Sequence, residues 1–121
     1  MEKTSLGIEE NVEGALCYVF GWLTGIIFYI LEKDNKFVRF HAMQSIITFL
    51  ALTVISVVLM FISFALMFIP YIGWIIGMFL WLIYFLLSIA GLIFWIIGII
   101  KAFQGEKYKF PVFGNMAEKY V

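Results

Sequence analysis

Across residues 42–100 the chain carries no charged side chain. This limits the fold more than any other feature, because a run of roughly 18 or more apolar residues reads as a membrane-crossing helix. The run is long enough for two such helices. It is divided near its middle by Ile69-Pro70-Tyr71-Ile72-Gly73, whose proline and glycine are the strongest turn signal in it. Spans of about 42–69 and 74–100 follow. A weaker apolar stretch, about 12–31, precedes them and contains Gly14, Gly21, Thr24 and Gly25, with Glu13 at its outer end.

Composition points the same way. The chain is 64% hydrophobic and 13% charged, where soluble domains carry about a quarter charged residues. A single soluble core of 121 residues could not hide so much apolar surface. The formal net charge is zero, so no basic surface is available for nucleic acid. Cys17 is the sole cysteine, with no disulfide partner and no Cys-x-x-Cys spacing, and reads as a small apolar helix residue.

The first stretch reads as a retained span rather than a cleaved signal segment. Glu2, Glu9, Glu10 and Glu13 stand at its start against Lys3, whereas signal segments begin positive. The expected architecture is therefore all-α: one membrane domain over residues 1–121, a bundle of three transmembrane helices, a loop at 32–41 and a short interfacial C-terminal tail at 101–121. With three spans, Lys33, Lys36 and Arg39 of the loop share a side with Lys101, Lys107, Lys109 and Lys119 of the tail, leaving Lys3 on the other. The positive-inside rule then makes the protein a multi-pass cell-membrane protein with its N-terminus outside and its C-terminus cytoplasmic. A four-span division would split the positive charges three against five, so three spans are preferred.

Residues 32–45 hold five of the sixteen formal charges and the only histidine. Asp34 or Asn35 is placed to cap a helix beginning at Lys36. Phe37, Arg39 and Phe40 then fall at headgroup level, with the arginine snorkelling. At helical period His41, Gln44, Ser45, Thr48, Ser56 and Ser63 fall within a sector of about 120°, and Thr53 lies outside it. Such a stripe should face protein or water rather than acyl chains. It serves either as helix–helix adhesion through hydrogen bonds or as the lining of a narrow hydrophilic path.

Small residues mark further faces. Gly14, Gly21 and Gly25 share one side of the first span, and Gly73-xxx-Gly77 opens the last, followed by Ser88, Gly91 and Gly98; these are candidate helix-packing positions. Trp74, beside Pro70 and Tyr71, fits an outer aromatic belt. In the tail, Phe103, Tyr108, Phe110, Val112 and Phe113 alternate with charged residues. That pattern suits a segment lying on the membrane surface or covering the mouth of the bundle.

Enzymatic chemistry has little to stand on. Glu32, Asp34 and His41 are the acid, base or ligand groups of the charged stretch. A metal site needs three or four ligands, and no P-loop, HExxH, GxSxG or dinucleotide fingerprint occurs. No enzyme activity, cofactor or metal is expected.

Residues 15–49, ALCYVFGWLTGIIFYILEKDNKFVRFHAMQSIITF, and above all FVRFHAMQS at 37–45, resemble a family of small bacterial and archaeal membrane proteins of unknown function. That family is similar to the Tic-twenty subunit of the chloroplast inner-envelope import translocon. The tail resembles it too, through Gly105, Pro111 and Gly114. The resemblance covers nearly the whole chain. It implies a helical integral membrane protein acting as an assembling or pore-forming subunit, and marks Arg39, His41 and Gln44 as family positions without assigning them a role. Tic-twenty is described with four spans against the three read here. Two functions from different classes follow. One is a structural or assembly subunit in the lipid bilayer, forming a homo-oligomer or binding another membrane protein. The other is an oligomeric channel or transport component for ions, small solutes or polypeptide that uses the stripe on the second span.

Overall fold

A computed structural model describes residues 3–121; Glu2, counted above in the acidic N-terminal segment, lies outside them. Five helices follow one another: α1 (Glu10–Val19), α2 (Trp22–Leu31), α3 (Lys36–Leu66), α4 (Ile72–Phe103) and α5 (Phe113–Glu118). Asn35 is the cap that starts α3, its side-chain oxygen accepting from the Val38 amide at 3.0 Å. No glycine or proline interrupts the 31 residues that follow, giving one rod of ~46 Å at the rise of an α-helix. Helix α4, 32 residues long, returns beside it. These two are long and apolar enough to cross a membrane. Both extend past the expected spans at their charged ends, to Lys36 and to Phe103. At the opposite end the turn tightens on Pro70, with the Ile72 amide donating to the Pro70 carbonyl at 2.8 Å. Tyr71 there takes φ +63°, a region that side-chain-bearing residues rarely enter. Its ring lies 5.6 Å from that of Trp74, and both are exposed, as an aromatic belt requires.

The expected first span does not form as one helix. It is a hairpin of two ten-residue helices, α1 and α2, each ~15 Å long and so about half of a ~30 Å hydrocarbon core. The reversal is made at Gly21, whose φ +63° and ψ −133° suit a residue without a Cβ. Gly21 was expected to pack inside a continuous helix; it is the turn itself. The path of the hairpin is read from its neighbours. Gly14 lies against Phe37, His41 and Ala102, Gly21 against Phe49, and Gly25 against Ala42, Ser45 and Ile46. The chain thus descends along α3 and α4 and climbs back along α3.

Its beginning accordingly lies at the same end as the tail, which corrects the expected placement of the N-terminus opposite the C-terminus. The Ser5 amide and hydroxyl donate to Glu32, the Asn11 side chain donates to the Phe103 carbonyl at 2.9 Å, and the Tyr29 hydroxyl donates to the Tyr120 carbonyl at 2.6 Å. All eight Lys and Arg residues belong to this end, whereas the turn at 67–71 carries no charge.

The buried core also lies at this end. Ala15, Cys17, Tyr18, Val38, Phe40, Ala42, Ala102, Phe110 and Ala117 form it. Beyond Phe49 on α3, and before Gly91 on α4, side chains such as Phe61, Trp81 and Phe85 are exposed. In a bilayer that exposure carries little penalty, because acyl chains are as apolar as the side chains facing them.

The glycines divide by contact. A Cβ on Gly25 would sit 2.9 Å from the Ala42 carbonyl oxygen, whereas one on Gly77 would meet nothing within 4 Å. Gly73 packs on the last residue of α3, Leu66, and on Ile69 of the turn, whereas Gly77 meets nothing, so the expected pair does not act as a continuous helix-packing face within the chain. Gly25→Ala is expected to destabilise the protein by ~1–3 kcal/mol through overpacking. Gly77→Ala should be neutral or more stable by up to ~1 kcal/mol from helix propensity. Thermal unfolding of both variants in detergent checks the contrast.

Candidate functional site

The stripe on α3 turns inward. His41, Gln44, Ser45 and Thr48 are all buried, because the Asn35 cap sets a helical register that brings Val38, His41, Ala42, Ser45 and Thr48 round to one side. Two structures cover that side: the α1–α2 hairpin and the C-terminal tail.

The tail reaches the stripe by a defined route. Helix α4 ends in a Schellman turn, in which the Gly105 amide donates to Ala102 and the Glu106 amide to Lys101, with Gly105 at φ +80°. Residues 106–110 then run without regular structure past α3, and three alternating backbone groups are held by two side chains. The Glu106 carbonyl can only accept, so His41 Nε2 donates to it, at 3.0 Å. Nδ1 is then the acceptor and takes the Tyr18 hydroxyl proton at 2.7 Å. Gln44 Nε2 donates to Tyr18 Oη at 2.9 Å and to the Tyr108 carbonyl at 3.0 Å, while its Oε1 accepts from the Phe110 amide at 2.9 Å. Every strong donor and acceptor of the imidazole and of the amide nitrogen is engaged.

Phe110 is buried against Phe94 and Tyr18, at ring distances of 4.8 and 5.9 Å. Past Pro111, α5 brings Gly114 so close that a Cβ would collide with Lys109 and press on Gln44 Oε1. The tail motif thus reads physically: Gly105 turns the chain back, and Gly114 lets it lie on Gln44.

Ser45 works at a second place. Where the hairpin reverses, backbone groups lose their helical partners. Ser45 Oγ donates to the Gly21 carbonyl at 2.8 Å, and Trp95 Nε1 to the Val19 carbonyl at 3.2 Å. Thr24 Oγ1 accepts from the Phe20 amide at 3.2 Å and donates to the Cys17 carbonyl at 3.0 Å. Turns at membrane depth survive only where such pairing is supplied.

The remaining expected positions are not part of either cluster. Thr48 is buried with no hydrogen-bond partner for its hydroxyl. Arg39 points to α2, where Nη1 donates to the Tyr29 and Glu32 carbonyls at 3.1 and 3.0 Å, and its guanidinium lies 4.0 Å above the Tyr29 ring. Tyr18 and Trp95 were missed as polar partners. The signal available was a Tyr and a Trp inside apolar stretches, whose O–H and N–H need acceptors when buried. Among the described residues no three His, Cys, Asp or Glu side chains converge to hold a metal ion.

Glu32 organises the join between α2 and α3. Its buried carboxylate accepts from the Ser5 amide and hydroxyl at 3.0 and 2.7 Å and from the Asp34 and Asn35 amides at 3.2 and 3.1 Å. Burial pushes its pKa up, but the hydrogen bonds from Ser5, Asn35 and Asp34 outweigh burial and hold it below the ordinary value of 4.5. A depressed carboxylate pKa stabilises the fold in full above the unfolded value and loses that contribution as pH falls through the folded value. Acid unfolding is therefore expected to set in below about pH 4.5. Glu32→Gln should be less stable at neutral pH and lack this acid step, as thermal melts across pH will show.

The clamp gives a second expectation. Tyr18→Phe leaves His41 Nδ1 and one Gln44 proton unpaired, and should cost ~1–3 kcal/mol. Combined with Gln44→Ala, the two losses should be non-additive by ~0.5–3 kcal/mol in a double-mutant cycle. Tryptic cleavage after Lys107 and Lys109 should accelerate in each variant as the tail is released.

Comparison with known proteins agrees with a membrane protein. A UPF0132 membrane protein of Methanocaldococcus jannaschii is 50% identical, over 99% of this chain and 96% of its own. A second from the same organism is 47% identical over 96% of this chain and 73% of its own. A UPF0132 membrane protein of Archaeoglobus fulgidus is 42% identical over 94% and 97%. No solved structure matches. Residues 9–117 match the magnetosome magnetite crystal formation protein family, and with nearly the whole chain inside that match, the protein belongs to this family.

Proposed function

We propose that the protein is a non-enzymatic structural subunit of a membrane assembly, built as two spanning helices joined at one end to a re-entrant hairpin and a clamped tail. The observation that carries this is the use of the stripe: His41 and Gln44 are consumed in holding the tail, and Ser45 in closing the hairpin. That arrangement supports adhesion over an open path at this end. The bare outer halves of α3 and α4 are the surfaces for copies of the chain or for another membrane protein. With all eight Lys and Arg residues at the clamped end, the positive-inside rule puts that end, and both termini, in the cytoplasm. The family description names magnetite crystal formation.

A transport role is the second reading, favoured by one feature. Beyond the hairpin tip a cleft of about 650 Å³ opens between α3 and α4, bordered by Thr53, Ser56, Tyr84 and Ser88. Ser56 continues the stripe into it.

One set of single-cysteine variants in a Cys17→Ser background tests both. Lys3→Cys and Lys119→Cys should react with a membrane-impermeant maleimide from the same side. Phe61→Cys or Trp81→Cys should cross-link between protein chains in liposomes, which should show no flux of ions or small solutes. Flux that Ser56→Trp blocks without changing the melt would replace the structural reading with the transport one.

A further inference from the structure

A recess of about 490 Å³ opens beside α2 at the charged end, lined by Tyr29, Ile30, Lys33, Arg39 and Val121. Arg39 is fixed there without a ligand. Its Nη1 spends both protons on the Tyr29 and Glu32 carbonyls, and its guanidinium lies 4.0 Å above the Tyr29 ring. A guanidinium carries five N–H donors. Among the described residues the remaining three meet no hydrogen-bond acceptor, and neither Arg39 nor Lys33 has an ion-pair partner; the ion pairs present join Lys101, Lys107 and Lys109 to Glu106 and Glu118. No neighbouring carboxylate among the described residues is paired with either cation. Glu32 is turned inward to Ser5 and the loop amides. Asp34 and the Val121 carboxylate form no ion pair with Arg39 or Lys33.

An apolar track leads to this basic recess. Leu23, Ile27 and Ile30, one above another on α2, are 53%, 50% and 61% exposed. In a bilayer such a track faces acyl chains. A partner that fits both parts carries an anion at one end and a hydrocarbon chain at the other, and a basic recess at headgroup depth suits a lipid phosphate. We propose that the recess binds the phosphate of an anionic phospholipid between Arg39 and Lys33, with an acyl chain lying along Leu23, Ile27 and Ile30. The guanidinium is pre-oriented by the two carbonyls and the Tyr29 ring, so little freedom is lost when the phosphate docks.

The test uses the full chain in detergent with a fluorescent phosphatidylglycerol as probe. Unlabelled phosphatidylglycerol should displace it, while diacylglycerol and inorganic phosphate should compete roughly tenfold less well or worse. Lys33→Gln should weaken binding about fivefold, the worth of one basic charge near the surface, with an unchanged thermal melt. Lys36→Gln, outside the recess lining, should have a smaller effect. Diacylglycerol competing equally would show that only the chain is read. Inorganic phosphate competing equally would identify a free anion as the ligand. Equal losses from Lys33→Gln and Lys36→Gln would show diffuse surface attraction. Each of these three results overturns the proposal.

Discussion

Backbone groups that leave a helix inside a low-dielectric environment must find partners in the protein, and the architecture answers that requirement twice. At the hairpin tip the carbonyls of Cys17, Val19 and Gly21 are taken by Thr24, Trp95 and Ser45. At the charged end the carbonyls of Glu106 and Tyr108 and the amide of Phe110 are taken by His41 and Gln44. An unpaired group would cost several kcal/mol in hydrocarbon at the hairpin tip and about 1–3 kcal/mol where it is buried at the charged end. This requirement explains why the buried polar residues of α3 gather in its first four turns. That is where irregular chain needs to be covered.

The two clusters are coupled through Tyr18. It stands on α1, one turn before the reversal, and its hydroxyl sits between His41 and Gln44. Its ring fills the space left by Gly98 on α4, where a Cβ would lie 2.7 Å from it. Hairpin, both long helices and tail therefore meet around one aromatic side chain. Opposite this knot the two long helices continue with little contact except with each other and with whatever surrounds them. The molecule is thus built of a packed, hydrogen-bonded end and a bare, apolar one, which suits an anchored module that offers helices to a membrane assembly.

Much of this was legible before the structure. The Asn35 cap, the turn at Pro70, the aromatic pair at the outer turn, the inward stripe and the tail's covering of the helix ends all follow from local rules about caps, turns and polar side chains in lipid. Gly14 and Gly25 were recognised as close-packing positions for the same reason. The first span was misread because hydropathy sums side-chain transfer energies. A hairpin whose outer face meets lipid has the same apolar composition as a helix that crosses. Gly21 has one identity and two uses, a packing face or a reversal, and the choice is made by Ser45, 24 residues from the Gly21 carbonyl it holds, and Trp95, 76 residues from the Val19 carbonyl it holds. Gly77 meets no neighbour within the chain; glycine spacing alone does not say what approaches it.

The sequence by itself determined that the chain is helical, that two of its helices are long and apolar enough to cross a membrane, and that its charge is concentrated at the ends of those helices. These are consequences of residue type and local period. The tertiary structure alone decided that the first apolar stretch returns to the side it came from. It alone decided that His41 and Gln44 hold the tail, and that Arg39 turns away from them towards a basic recess. The first two outcomes depend on hydrogen bonds between residues far apart in the chain, and the third on bonds from Arg39 back across the α2–α3 turn; no local pattern encodes which carbonyl such a donor will reach.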